Sequence, residues 1–146
     1  MSLLNTFSAL IFFLLFNCIS IGQDKLERAN ELYQNKKYIE AHDLYIQLLA
    51  YSPRSPEFNY KFGVCIIYKG GYESIEEPFR YLTYGIENGI NDEFLNLHKA
   101  VAFEHVKEYE KAIEYYTLFI NSTDKKTVKE LKIKKKIKQC KKHLKG

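Results

Sequence analysis

The chain has 146 residues, 46% hydrophobic and 27% charged, with only 7 Gly and 3 Pro; this suits one compact domain and excludes disordered and collagen-like chains. Three cysteines are too few for a disulfide-built miniprotein, while 12 Tyr and 10 Phe supply a core that needs neither metal nor staple. The net charge of +4 hides a split: from Lys125 onward eleven lysines face Glu130 alone, whereas residues 1–124 carry 11 basic and 17 acidic side chains. A tail of +10 on a body of −6 indicates an electrostatic contact, and it argues against a uniformly basic nucleic-acid binder.

Phe7 to Phe16 form a largely apolar run of ten, followed by Asn17 and by Ser20-Ile21-Gly22-Gln23. That length matches a signal-peptide hydrophobic region and falls short of a bilayer span. Ser20 and Gly22, small residues two apart, place cleavage between Gly22 and Gln23 and predict export. No Lys or Arg precedes the run, so an uncleaved membrane anchor is the competing reading. Leu15 stands three before Cys18, as in a bacterial lipobox, but Phe16 and Asn17 occupy places that such a site gives to small residues. Cleavage after Gly22 leaves Cys65 and Cys140, both on apolar helix faces and expected to be buried thiols.

Past Gln23 the sequence repeats. Ala29, Gly63 and Ala100 each precede a large apolar residue by three, namely Leu32, Ile66 and Phe103, at intervals of 34 and 37 residues. Twelve after Ala29 and Ala100 stand Ala41 and Ala112, each with a Tyr three before (Tyr38, Tyr109) and another four after (Tyr45, Tyr116). Pro53 closes the first unit. The pattern predicts paired helices: first members at about 25–35, 57–69 and 92–106, second members at about 38–51, 76–88 and 109–120. The extra residues of the middle unit fall in the turn from Gly70 to Ile75, where Ser74 and Glu77 form a capping-box pattern and Pro78 sits in a first helical turn that tolerates it. A seventh helix, about 125–144, carries Ile133, Ile137, Cys140 and Leu144 at spacings of 4, 3 and 4 among lysines, and is expected to cap the array with one wet face.

Phe62-Gly63 with Ile66, Ala41 with Tyr45, Ala112 with Tyr116, and Pro53 together resemble the tetratricopeptide (TPR) repeat across about residues 24–121. The resemblance implies an all-α fold: three hairpins, about 24–53, 56–90 and 92–121, stacked as a short right-handed solenoid after a signal peptide of residues 1–22, with the lysine-rich helix as cap. Two family features are missing. Lys25, Asn59 and Asn96 stand where a Trp is usual, and Pro78 stands at a small-residue position. The run Glu57 to Cys65, the Gly70-Gly71 turn and the lysine-rich end also resemble the N-terminal TPR region of Bacteroidota envelope proteins, which continue into a β-propeller and an OmpA-like domain. Neither of those domains is present in the sequence.

In TPR arrays the first helix of each pair lines a concave groove. Position by position, that implies a peptide groove of Asn30 and Tyr33, then Tyr60, Val64, Ile67 and Tyr68, then Phe94, Leu97, Val101, Glu104 and His105, with Leu26 and Gln34 at its edge. A central helix flanked on both sides would instead make Tyr60 and Ile67 core. The Lys and Asn set with which some TPR modules clamp a terminal carboxylate is matched only by Asn30. The exposed lysines Lys134, Lys135, Lys138, Lys141 and Lys142 form either a solvated face or a contact for an acidic partner or an anionic envelope surface; nucleic acid is not expected, because arginines and interleaved aromatics are lacking.

Catalytic signatures are weak. His42, His98, His105 and His143 lie on different predicted helices, and although His98 and His105 are seven apart, no Cys or carboxylate completes a ligand set. No phosphate-binding glycine loop, nucleophile elbow or paired carboxylate motif is present. Asn121-Ser122-Thr123 matches a glycosylation sequon, expected to be unused in a bacterial exported protein. The expectation is therefore a non-enzymatic, cofactor-free module of the cell envelope, placed by the resemblance in the periplasm or at the outer membrane, that holds a protein or peptide, with an OmpA-like complex among the candidate partners and membrane contact only peripheral or through the partner. The alternative is a structural adaptor held at an acidic surface by its lysine-rich helix.

Overall fold

The computed structural model describes residues 23–145, so the expected signal peptide and Cys18 lie outside the described residues. Every regular element among those residues is helical: α1 over 23–34, α2 (Tyr38–Tyr51), α3 (Pro56–Lys69), α4 (Glu76–Glu87), α5 (Leu95–His105), α6 (Tyr109–Ser122), α7 (Lys125–Glu130) and α8 (Ile133–His143). Successive long helices run antiparallel. Tyr33 meets Tyr38 while Asn30 meets Tyr45, and Gly63 faces Pro78 and Leu82 while Gly85 faces Tyr60. In the third pair Phe103 stacks on Tyr115 and Phe94 lies on Phe119. Elements two apart also touch, α1 to α3 through Asn30–Lys61, and α3 to α5 and the turn before it through Tyr68–His98 and Tyr60–Asp92. The buried apolar residues form two clusters, one mainly in the first two pairs and one in the third pair with α7 and α8, bridged by the partly buried Ile75, Phe79 and Val101.

Local chemistry explains the boundaries. The turns after α1 and after α5 are alike: Lys36 and Lys107 adopt left-handed backbone (φ 58 and 64). The amides of Lys37 and Glu108 reach back five residues to the carbonyls of Leu32 and Phe103, both at 2.9 Å. This is the Schellman closure of a helix C-terminus, and it usually falls to Gly because left-handed backbone costs an L-residue about 1–2 kcal/mol. α3 begins at Pro56 behind Ser55, whose Oγ accepts from the Phe58 amide at 3.3 Å, and the Asn59 side chain donates to the Pro53 and Ser55 carbonyls. Asn59 thus pins the preceding loop.

The middle pair is held at close range by two glycines. A Cβ on Gly63 would stand 3.0 Å from both the Pro78 carbonyl and the Leu82 amide; one on Gly85 would stand 2.6 Å from the Tyr60 Cβ. Pro78 is fully buried at this contact. The expected capping box of Ser74 and Glu77 does not form: α4 starts at Glu76 behind Ile75, which leaves Ser74 one position outside the cap, where its Oγ accepts only from the Glu76 amide at 3.2 Å. α5 likewise starts at Leu95, later than the expected 92, because Asp92 spends its side chain and carbonyl on the Phe94 and Leu95 amides in a tight turn.

The expected single helix over 125–144 is two helices. Asp124 caps α7 by accepting from the Lys126 and Thr127 amides, and these bonds, with that from the Thr127 hydroxyl, hold its pKa below the usual carboxylate value. Lys132 then turns left-handed (φ 54) and α8 starts afresh. The break has a packing reason. Val128 and Ile133 are five apart, about 140° around a straight helix, so one rod cannot bury both, whereas the broken chain exposes them only 7% and 0%. Cys140 is buried as well, but Leu144, the last of the expected apolar stripe, is exposed.

α8 meets the third pair as α3 meets the first. Lys61 of α3 donates to Asn30 of α1 and lies over the ring of buried Tyr45, whose hydroxyl also bonds to Asn30. Lys136 of α8 reaches Glu104 of α5 at 3.3 Å and lies over buried Tyr116, whose hydroxyl donates to the same Glu104 carboxylate. Four residues beyond each lysine comes a buried cysteine, Cys65 or Cys140. Burial pushes the Cys65 thiol up to about 12 and raises Cys140 in the same direction, so neither is primed as a thiolate.

Candidate functional site

Where α1, α3 and α5 come together, a cleft of about 370 Å³ opens. Tyr33 and Tyr38 enter it from the two sides of the α1–α2 turn, Tyr68 from the last turn of α3, and Phe94, Leu97 and His98 from the start of α5. Lys36 stands at the mouth, where its left-handed backbone turns it out of α1, and Leu131 closes one side from the α7–α8 break. The walls are mutually packed rings: Tyr38 stacks on Tyr68 at 4.5 Å between centroids, Tyr33 meets Tyr38 edge-on at 5.4 Å, and Tyr68 meets His98 edge-on at 5.6 Å. Such contacts fix each ring's orientation before anything binds.

A polar chain underlies the walls. The Tyr60 hydroxyl donates to Asp92 Oδ2 at 2.8 Å, His98 Nε2 faces the same oxygen at 3.5 Å, and the Tyr68 hydroxyl lies 3.1 Å from His98 Nδ1. Burial would raise the Asp92 pKa, but its bonds from His98, the Phe94 amide and Tyr60 outweigh this and hold the carboxyl below its usual value. With Asp92 ionised, the partners assign the imidazole proton to Nε2, so that Nδ1 accepts from the Tyr68 hydroxyl. Burial, reinforced by neighbouring hydroxyls and Asp92, pushes Tyr33, Tyr60 and Tyr68 upward, which keeps their hydroxyls protonated donors. The order Asp–His–Tyr resembles a nucleophile relay in outline, yet the Tyr68 hydroxyl is shifted away from ionisation, the reverse of what nucleophilic attack needs.

The expected groove residues separate into three groups. Tyr33, Tyr68, Phe94 and Leu97 line the cleft. Tyr60, Val64 and Ile67 are buried core and line no open surface, because α3 is covered by α1, α2, α4 and α5. The rest are engaged elsewhere. Asn30 is taken by Tyr45 and Lys61, and Glu104 by Tyr116 and Lys136. Val101 packs between the two core clusters, while His105 is exposed and accepts from the Gly71 amide at 3.3 Å against the Tyr72 ring. The groove implied by the resemblance is thus shorter than expected: Phe94 and Leu97 of its third unit open to the cleft, while Glu104 is engaged by Lys136 of α8. Lys134, Lys135, Lys138, Lys141 and Lys142 are all exposed on α8.

Sequence reasoning passed over Lys36, Tyr38, Asp92, His98 and Leu131 as cleft residues. Phe94 and His98, four apart on one helix face, were the available signal for the histidine; nothing local marks Asp92, whose partners are 32 residues before it and six after. His98 and His105 do not converge, and among the described residues no three His, Cys, Asp or Glu side chains are grouped to hold a metal ion. Compared with known proteins, the chain matches no family model, no curated protein and no solved structure.

Proposed function

We propose that this chain is an exported TPR-type interaction module of a bacterial cell envelope, which binds a segment of a protein partner in the tyrosine-walled cleft. The cleft carries the reading: four aromatic rings, each held by a ring–ring contact, beside two leucines and above a satisfied polar floor, lose little conformational entropy when they close on an extended or helical segment. The repeat assignment is supported by the small-residue spacing and by the matching turns at Lys36 and Lys107, 71 residues apart. The envelope assignment rests on the N-terminal apolar run and on the resemblance to Bacteroidota proteins with OmpA-like domains, which makes an OmpA-like complex the first partner to examine.

The test is site-specific photocrosslinking in the native envelope. A photoreactive phenylalanine analogue replaces Tyr38, at the cleft, or Tyr51, which is 80% exposed. A discrete adduct from position 38 that is absent from position 51 supports cleft binding. Identical adducts from both positions, or none from 38, would overturn it.

A further inference from the structure

A second cleft, of about 670 Å³, lies between the end of α6 and the α7–α8 break. Its floor is apolar, built from Ile120 and Val128, and its rim carries Lys125, Lys129, Lys132 and Lys135. The rim lysines have no acidic partner. Among the described residues, the ion pairs of the C-terminal segment are Lys126–Glu130 and Lys136–Glu104, and both lie outside this rim. Lys125 and Lys129 stand four apart on one helix, an arrangement in which like charges repel. Lys135 belongs also to an adjoining cleft edged by Lys138, Lys141, Lys142 and Lys145, so the basic face continues along the whole of α8.

We infer that this face docks on an anionic lipid bilayer, with lipid phosphates among the rim lysines and acyl-chain carbon against Ile120 and Val128. Three observations select that occupant. Unpaired like charges around one cleft are relieved by anions, and two neighbouring lysine-edged clefts call for an array of anions, which a charged leaflet presents and a single ion does not. An apolar floor inside a basic rim matches the junction of headgroup and chain. The body, at −6 against +10 for the tail, is repelled by the same leaflet, which turns the tail toward it. Contact of this kind is peripheral, and no helix among the described residues is long and apolar enough to cross a membrane. The inference does not rest on the tyrosine cleft, which meets this face only at the α7–α8 break, through Leu131.

Vesicle co-sedimentation of the chain beginning at Gln23 tests it, with vesicles of phosphatidylcholine alone or with about one third phosphatidylglycerol. Binding is expected only to the anionic vesicles, weakening roughly tenfold or more between low and high salt as the charges are screened. Lys129→Glu/Lys132→Glu/Lys135→Glu should lose binding at least tenfold, whereas Lys107→Glu/Lys111→Glu, in the body, should lose much less. Equal binding to neutral vesicles, no binding to anionic ones, or full competition by millimolar inorganic phosphate would each overturn the proposal; the first and second need no variant, so a misfolded triple mutant cannot obscure the answer. Loss of vesicle binding with the Tyr38 crosslink intact, or the converse, separates this proposal from the cleft reading.

Discussion

α3 and α8 take up the same position on two different hairpins, yet their sequences are opposite in character. Each sends a lysine to an acceptor two long helices back, over a buried tyrosine, and each buries a cysteine one turn later. From there they diverge. α3 buries Tyr60, Phe62, Val64, Ile66 and Ile67 as well, because α4 and α5 cover its remaining sides; α8 buries only Ile133 and Cys140 and carries lysine elsewhere. One helical slot therefore demands one apolar stripe, and the other side is apolar where further helices among the described residues cover it, as on α3, and lysine-rich where none does, as on α8. Apolar residues on the outer side of α8 would form a sticky terminal patch, while lysines on α3 would have to be desolvated.

Removing α7 and α8 by ending the chain at Asp124 strikes this comparison hardest. It uncovers Phe119 and Tyr116, both fully buried, and forfeits the burial of Val128, Ile133 and Cys140. At about 1.5–3 kcal/mol for each large buried side chain, a loss of ~5 kcal/mol or more is expected in a denaturant titration. Unchanged stability would mean that α8 is an appendage and not the closing member of the stack.

Gly85→Ala probes the second side of α3, which α8 lacks. Its new methyl group would meet the Tyr60 Cβ at 2.6 Å, so α3 and α4 must separate, at a cost of about 1–3 kcal/mol. Lys138→Ala, on the exposed side of α8, should change stability by less than about 0.5 kcal/mol in the same titration. Equal effects would show that the middle pair is looser than its glycines imply.

The Asp92 network is also built on the second side of α3, through Tyr60 and Tyr68. Asp92 has its pKa depressed in the folded state, so it contributes stability that is present above the unfolded carboxylate value of about 3.9 and is lost as pH falls through the lower folded value. Asp92→Asn should therefore lower the melting temperature at neutral pH, by about 1–3 kcal/mol of stability, and flatten the acid limb below about pH 4. An acid limb identical to that of the unmodified protein would remove Asp92 from the network.

Apart from the surface control at Lys138, the smallest effect belongs to the break that creates α8. Lys132 holds left-handed backbone without being glycine, so Lys132→Gly should stabilise by up to ~1 kcal/mol, the relief of strain being partly offset by the added freedom of the unfolded chain. A destabilised variant would point to contacts of the Lys132 side chain that outweigh its strain.

Much of the helical framework was legible in the residue pattern, because small residues and aromatics at fixed helical offsets reflect contacts within a pair. Ala29, Ala41, Ala100 and Ala112 are all fully buried, as are Tyr45 and Tyr116. The cleft was legible only in part. Tyr33, Tyr68, Phe94 and Leu97 follow from the repeat register, whereas Asp92 and Leu131 arrive from loops whose path no periodicity encodes. Tyr60, Val64 and Ile67 have the same apolar character whether they line a groove or fill a core, so composition could not distinguish the two.

What the residues alone determined is the all-helical character of residues 23–145, most helix boundaries to within a few positions, and the separation of charge between body and tail, since these depend on local periodicity, capping and simple counting. What the tertiary structure decided is the break at Lys132, the engagement of Glu104 by Lys136 of α8, and the assembly of Tyr60, Asp92, His98 and Tyr68 into one chain of polar contacts. Those outcomes turn on which distant surfaces meet, and the free energy of such meetings comes from shape and desolvation between segments that are far apart in the chain.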